Sequence, residues 1–322
     1  MVQNKALIFK DVPTGWPEEG KHLKLETTDF DLDQAPPSGG VTAKLFYISF
    51  DPYQRGRMRA PGTKSYSPPF ELGKPITNRA IAKVLKSDNP KFQAGDVIIL
   101  TDSGPTAEYA AIPKDVTERA RKFENPYNLD PRIFVGALGM PGLTAWSSFY
   151  EIGAPKKGET IFVSSAAGAV GQLVGQLAKH EGLKVIGSVG DDKKLDFITK
   201  ELKFDAGFNY KKEKPGEALK RLAPDGIDIY YENVGGEHLE AAINAMNPFG
   251  RISEYHQPHM RKYCPANWLN SRLWYDLPIQ HSPTRAIPNP QPNAGRCQAS
   301  EDPGLHCRGC QHGSQVPPGA PG

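Results

Sequence analysis

Residues 163–194, VSSAAGAVGQLVGQLAKHEGLKVIGSVGDDKK, read as a strand end, a glycine turn, a helix and a second strand. The β-branched run Thr160-Ile161-Phe162-Val163 leads into Ala166-Ala167-Gly168-Ala169-Val170-Gly171, a G-x-G-x-x-G pattern with Ala in its first place. In such a turn the residue at Gly168 lets backbone approach a phosphate, and the one at Gly171 lets the following helix pack close to the sheet. The helix predicted from about Val170 to His180 aims its unpaired amides and positive dipole end at that point. Strand, turn, helix and strand together predict a dinucleotide-binding unit and hence a redox enzyme. A tight strand-to-helix turn that binds nothing is the competing reading.

The second strand, Leu183 to Val189, bears on which dinucleotide is bound. An NAD site usually places a carboxylate near this strand's end to accept from the ribose 2′-hydroxyl. Here the end is Ser188-Val189-Gly190, the acids Asp191 and Asp192 come later, and Lys193 and Lys194 follow at once. Small groups and ammonium ions at this place favour a 2′-phosphate, and so NADPH. The two lysines also read as solvated first-turn residues of the next helix.

The chain has 322 residues, 38% hydrophobic and 23% charged, enough for two domains with their own cores. A net charge of +3, with scattered basic residues, argues against a nucleic-acid partner. No apolar run reaches the roughly 18 residues of a membrane span, and the start MVQNKALIFK has no apolar signal core. A soluble, cytoplasmic protein with no membrane partner is expected. All four cysteines, Cys264, Cys297, Cys307 and Cys310, come late, so residues 1–263 offer neither a disulfide framework nor cysteine-ligated zinc.

Residues 1–128 read as short strands split by glycine and proline: 5–9, 40–49, 81–85, 96–100 and 107–111, a small β-barrel-like domain. From Pro131 helix and strand alternate. Strands are predicted at 160–164, 184–189, 206–209, 227–232 and 250–253, with helices near 170–180, 192–202, 215–223 and 236–246. Repeated β-α-β units imply a parallel sheet with its ligand crevice at the carboxyl ends of the strands. Tyr210, Asn233 and Gly235 each follow such an end and are placed to touch a dinucleotide. The second domain is thus 129–255. Residues 256–322 are rich in proline and histidine, show no sustained period and are expected to be irregular, in large part disordered.

Six motifs, DPYQR at 51–55, MPGLTAW at 140–146, AAGAVGQLVGQLAK at 166–179, GDDKK at 190–194, FNYK at 208–211 and ENVGG at 232–236, carry a family resemblance. The chain resembles the zinc-independent medium-chain dehydrogenase/reductases, in particular the branch of prostaglandin reductases (leukotriene B4 12-hydroxydehydrogenases) and NADPH-dependent double-bond reductases. The likeness runs from about residue 5 to 252. It implies a GroES-like catalytic domain, a Rossmann domain and NADPH between them. By motif, Gly168, Ala169, Val170 and Gly171 line the pyrophosphate, Lys194 and Tyr210 contact the 2′-phosphate, and Asn233 lies near the nicotinamide half. Tyr53 of DPYQR is similar to a family tyrosine facing the substrate; it reads equally as a tyrosine closing the barrel mouth.

The implied reaction reduces the carbon-carbon double bond of an α,β-unsaturated ketone or aldehyde without a metal. Hydride goes to the β-carbon, and the enolate that develops needs a hydrogen-bond donor at its oxygen, for which Tyr53 and a cofactor ribose hydroxyl are the candidates. The α-carbon proton comes from water or a tyrosine. A small-molecule enone is the implied partner, and homodimerisation through the nucleotide-binding domain the implied assembly.

After Ile252 the chain departs from the family, which continues with further strands and a loop tyrosine; Tyr255 is one candidate for that tyrosine. The departure keeps two alternatives open, a quinone reductase and a truncated, inactive cofactor-binding protein. His306-Cys307-Arg308-Gly309-Cys310-Gln311-His312 has zinc-ligand spacing, against which stands accidental composition.

Overall fold

Alternation of side chains along five strands builds the half of the molecule that carries the glycine turn. The computed structural model describes residues 1–254. In its first part are β1 (Val2–Phe9), β2 (Leu23–Phe30), β3 (Val41–Ile48), α1 (Gln54–Arg57), β4 (Thr77–Ser87), β5 (Val97–Pro105), β6 (Tyr109–Ile112), α2 (Lys114–Glu118) and β7 (Arg121–Lys122). A 3-10 turn, Pro131–Phe134, precedes α3 (Met140–Ser148), which runs on as a π turn, Phe149–Gly153. Then follow β8 (Thr160–Val163), α4 (Gly171–His180), β9 (Lys184–Val189), α5 (Asp192–Asp196), β10 (Ala206–Asn209), α6 (Pro215–Leu222), β11 (Ile227–Glu232), α7 (Gly236–Asn244) and β12 (Met246–Glu254).

The first part forms an antiparallel sheet in the order β6-β3-β4-β5-β7. The β1-β2 ribbon joins it through single bridges, Ala6 to Ala107 and Ile8 to Pro75. Its core is the inward face of β3, β4 and β5, where Val41, Ala43, Ala80, Ala82, Val84, Ile98 and Leu100 are buried. Strand β2 is not among the strands expected from sequence, because Leu23–Phe30 buries only Leu23 and so lacks an apolar alternation. The helix expected at 192–202 is a short α5 prolonged by a π turn, Phe197–Glu201.

In the second part five parallel strands take the order β10-β9-β8-β11-β12. Both faces are covered, so β8, β9, β10 and β11 each bury side chains of both parities. Ile161 and Val163 of β8, Val185 of β9 and Ile229 and Tyr231 of β11 face Leu173, Val174 and Ala178 of α4. The intervening Phe162, Ile186 and Tyr230 pack with Ala218 and Leu219 of α6 and Ala241 and Ala242 of α7. Because β9 and β11 flank β8, the chain reverses direction across the sheet at β8, and that reversal opens a crevice at the carboxyl ends of β8 and β11.

On the second face His238 of α7, 5% exposed, stacks with Phe162 and Phe208 and meets the Tyr210 ring edge-on at 5.2 Å. Burial pushes its imidazole down to about 4, against a smaller upward pull from Glu237. The folded protein thus holds this ring neutral, whereas the unfolded chain takes up a proton below about 6.5. His238 therefore contributes stability above pH 6.5 that is lost as pH falls toward 4. Denaturant unfolding across this interval is expected to show a falling midpoint, and His238→Phe to flatten that fall. An unchanged slope in the variant would remove His238 as its source.

The expected tail at 256–322, Tyr255 and the Cys307/Cys310 motif lie outside the described residues.

Candidate active site

β8 ends at Val163, and the next residues turn sharply: Ser165 adopts a left-handed φ of 50°. The Gly168 amide donates back to the Ser165 carbonyl at 2.9 Å, and the Gln172 amide to the Gly168 carbonyl at 3.0 Å. A Cβ on Gly171 would lie 2.5 Å from the Ser165 carbonyl oxygen and 3.0 Å from the Ala166 Cα, so only glycine lets α4 start this close to the strand. Among the described residues the amides of Ala169, Val170 and Gly171 make no hydrogen bond. Three uncommitted donors at the head of a ten-residue helix form a cradle for an anion.

At the end of β9 the two acids are both engaged. Asp191 caps α5, accepting from the Lys194 amide at 2.8 Å, and its other oxygen lies 3.5 Å from Lys194 Nζ. Asp192 accepts from Lys212 and from Asn209 Nδ2, bonds that hold its carboxyl below the usual range. Tyr210 follows β10, its amide bonded to the Val189 carbonyl at 3.0 Å. Its hydroxyl lies over Gly190, where a Cβ would come within 3.1 Å of it. Lys194 and Tyr210 thus both border the end of β9, and neither nearby acid is left as a bare negative charge toward a phosphate.

Asn233 follows β11, whose neighbour is β8 with Tyr231 opposite Val163. Its amide donates to Ser164 Oγ and its side-chain Nδ2 to the Ser164 carbonyl, each at 2.8 Å. Glu232, 2% exposed, accepts from the amides of Val234 and Gly235 and so holds the Asn233 loop from beneath. Ser164 and Glu232 had not been singled out from sequence. They matter only because two segments 69 residues apart meet.

Tyr53 belongs to a second cluster, in the antiparallel half, at the start of α1. Its hydroxyl donates to Asn78 Oδ1 on β4. Burial, reinforced by the nearby Asp51 carboxyl, pushes its phenol above the usual range, so Tyr53 is neutral at ordinary pH. Arg57, whose guanidinium donates to Pro68 and Thr77 and lies 4.2 Å from the Phe70 ring centre, pulls in the opposite direction. The described residues contain no cysteine and no group of three or more histidine, aspartate or glutamate side chains that could hold a metal ion. A catalytic zinc does not fit the donor set of the described residues.

Two family models match: one described as the N-terminal domain of oxidoreductase, over residues 5–117, and one described as zinc-binding dehydrogenase, over residues 169–266. An NADP-dependent oxidoreductase of Cochliobolus heterostrophus is 59% identical over 252 residues, covering 78% of this chain and 71% of that protein. The NADP(+)-dependent 2-alkenal reductase of Nicotiana tabacum is 44% identical over 256 residues, covering 78% and 72%. The crystal structure of CurA from Vibrio vulnificus in complex with NADPH superimposes with a TM-score of 0.66 at 28% identity, covering 82% of this chain and 76% of that one.

Proposed function

The chain is an NADP-dependent oxidoreductase that belongs to the medium-chain dehydrogenase/reductase family, and from that premise we propose that it reduces the carbon-carbon double bond of α,β-unsaturated ketones or aldehydes. The observation that carries the reading is the cradle of free amides at Ala169, Val170 and Gly171, at the sheet's reversal point. In this reading Gly168 to Gly171 hold the pyrophosphate of NADPH, Lys194 and Tyr210 the 2′-phosphate, and Asn233 the nicotinamide half. When bound, the reduced nicotinamide supplies the hydride. Residues 1–128 then form the catalytic domain and 129–255 the nucleotide-binding domain.

Hydride arrival at the β-carbon sends negative charge to the carbonyl oxygen. A hydrogen-bond donor at that oxygen meets the charge as it grows. Tyr53 supplies it: a neutral phenol keeps its hydrogen across the physiological range and lends it to the oxyanion as charge grows. The motifs FNYK and ENVGG support placement in the prostaglandin reductase and double-bond reductase branch. The reading includes a homodimer, carried by the family resemblance alone, and a cytoplasmic location, which rests on the sequence expectation alone.

The test mixes purified protein with NADPH and but-3-en-2-one and follows the absorbance of reduced nicotinamide. Steady oxidation with recovery of the saturated ketone supports the reading. Oxidation with quinones alone favours a quinone reductase, and tight NADPH binding without turnover on any acceptor favours an inactive cofactor-binding protein.

A further inference from the structure

Tyr53 has one hydroxyl hydrogen, and the structure gives it a definite destination, Asn78 Oδ1. Asn78 is wholly buried on β4, and its amide cannot turn over. Both hydrogens of Nδ2 are committed, one to the Ser49 carbonyl at 2.7 Å and one to Asp51 Oδ2 at 2.6 Å, which leaves only the carbonyl oxygen to face the phenol. Asp51 is 5% exposed, and its backbone amide donates to Gln54 Oε1 at 2.9 Å, fixing it against α1. The β4-β5 ladder also shifts register between Asn78 and Ala80, an irregularity of the kind that re-aims a side chain.

We propose that Asn78, locked by Asp51 and Ser49, is a positioning residue that sets the rotation of the Tyr53 phenol and holds its hydrogen until a substrate oxygen takes it over. The inference rests on the reading of Tyr53 as the donor in enone reduction. The chemistry explains why an amide stands between Tyr53 and a carboxyl. A neutral carbonyl accepts the phenolic hydrogen roughly half as strongly as a carboxylate does. The hydroxyl can therefore exchange Asn78 for an oxygen gaining negative charge, an exchange that a direct bond to Asp51 would oppose. Asp51 acts at one remove, by keeping the amide nitrogen away from Tyr53.

The experiment compares wild type, Asn78→Ala, Asn78→Asp, Tyr53→Phe and the double variants, using NADPH and but-3-en-2-one. Asn78→Ala is expected to lower kcat about tenfold while the NADPH Kd stays within about twofold, because orientation of the donor is lost and the cofactor cradle is untouched. In the Tyr53→Phe background the same change is expected to alter kcat by less than about twofold, since the hydroxyl it acts on is gone. Asn78→Asp keeps the side chain's shape but removes the Nδ2 hydrogens that tie it to Ser49 and Asp51 and sets a second carboxyl beside the buried Asp51, so the pair shares a proton and Tyr53 loses its fixed neutral acceptor. Its kcat is expected to fall at least as far as that of Asn78→Ala, with the NADPH Kd again within about twofold. Equal losses in both backgrounds, no loss in either, or weakened NADPH binding in Asn78→Ala would overturn the proposal. So would failure of both Asn78 variants to fold cooperatively, which would make Asn78 a residue of the core alone. A wild type that never turns over an enone defeats the functional reading and this one with it. A wild type that turns over while the variants act independently of Tyr53 defeats this one only.

Discussion

Tyr53→Phe is expected to lower kcat by about 100-fold, the scale seen when one donor to a developing oxyanion is removed, with little change in NADPH affinity. The asymmetry follows from geometry. Tyr53 sits at the start of α1 in the antiparallel half, bonded to Asn78, while the residues assigned to the cofactor lie at the carboxyl edge of the parallel sheet. The substitution removes a hydroxyl and leaves the ring, so packing around α1 is retained. The charge it answers exists only in the transition state, and for that reason the loss falls on kcat rather than on binding. Steady-state kinetics with an enone, together with fluorescence titration of NADPH, measure the two quantities separately. Unchanged kcat would take Tyr53 out of the mechanism and leave it as a residue that closes the mouth of its sheet.

The second large effect is on cofactor choice. Lys194→Ala is expected to weaken NADPH by about 1.5–3 kcal/mol, the cost of a lost charge-assisted contact to phosphate, or roughly 10- to 150-fold in Kd. NADH affinity should change little, because NADH has no 2′-phosphate for this ammonium to meet. Lys194 lies 3.5 Å from Asp191, a half-exposed pairing that a doubly charged phosphate can displace. Asp192, the other acid at this corner, is held by Lys212 and Asn209 and cannot easily turn toward a ribose hydroxyl. Calorimetric titration of both cofactors into wild type and variant reads the ratio. Equal weakening of NADPH and NADH would place Lys194 in the fold of the α5 turn rather than in phosphate recognition.

How much of this was legible in the residues varies from place to place. Strands β8, β9 and β11 and the glycine turn could be read because their signals are local: short runs rich in β-branched residues, each followed by a turn that contains glycine. Gly171 could be given its reason in advance, since a helix that must start against a strand tolerates no side chain there. Strand β2 could not, because an edge that buries little has no apolar period to betray it. The order of Lys194 and Tyr210 around the β9 end was inferred from motif likeness, and the structure supplies the physical arrangement: a cap that fixes Asp191 and a glycine that admits the Tyr210 hydroxyl.

By itself the amino-acid order determined the α/β class, the five strands of the parallel sheet, the dinucleotide turn and the preference for a phosphorylated ribose. Each of these depends on neighbours in the chain and on the charge that they carry. Only the tertiary structure decided that Ser164 and Glu232 hold Asn233, that Asp192 is silenced by Lys212, and that Tyr53 gives its hydrogen to Asn78. Those partners are brought together by strand register and helix packing across sequence separations of 20 or more, or by a loop stapled to a neighbouring strand, and nothing in a local pattern encodes which polar groups will meet there.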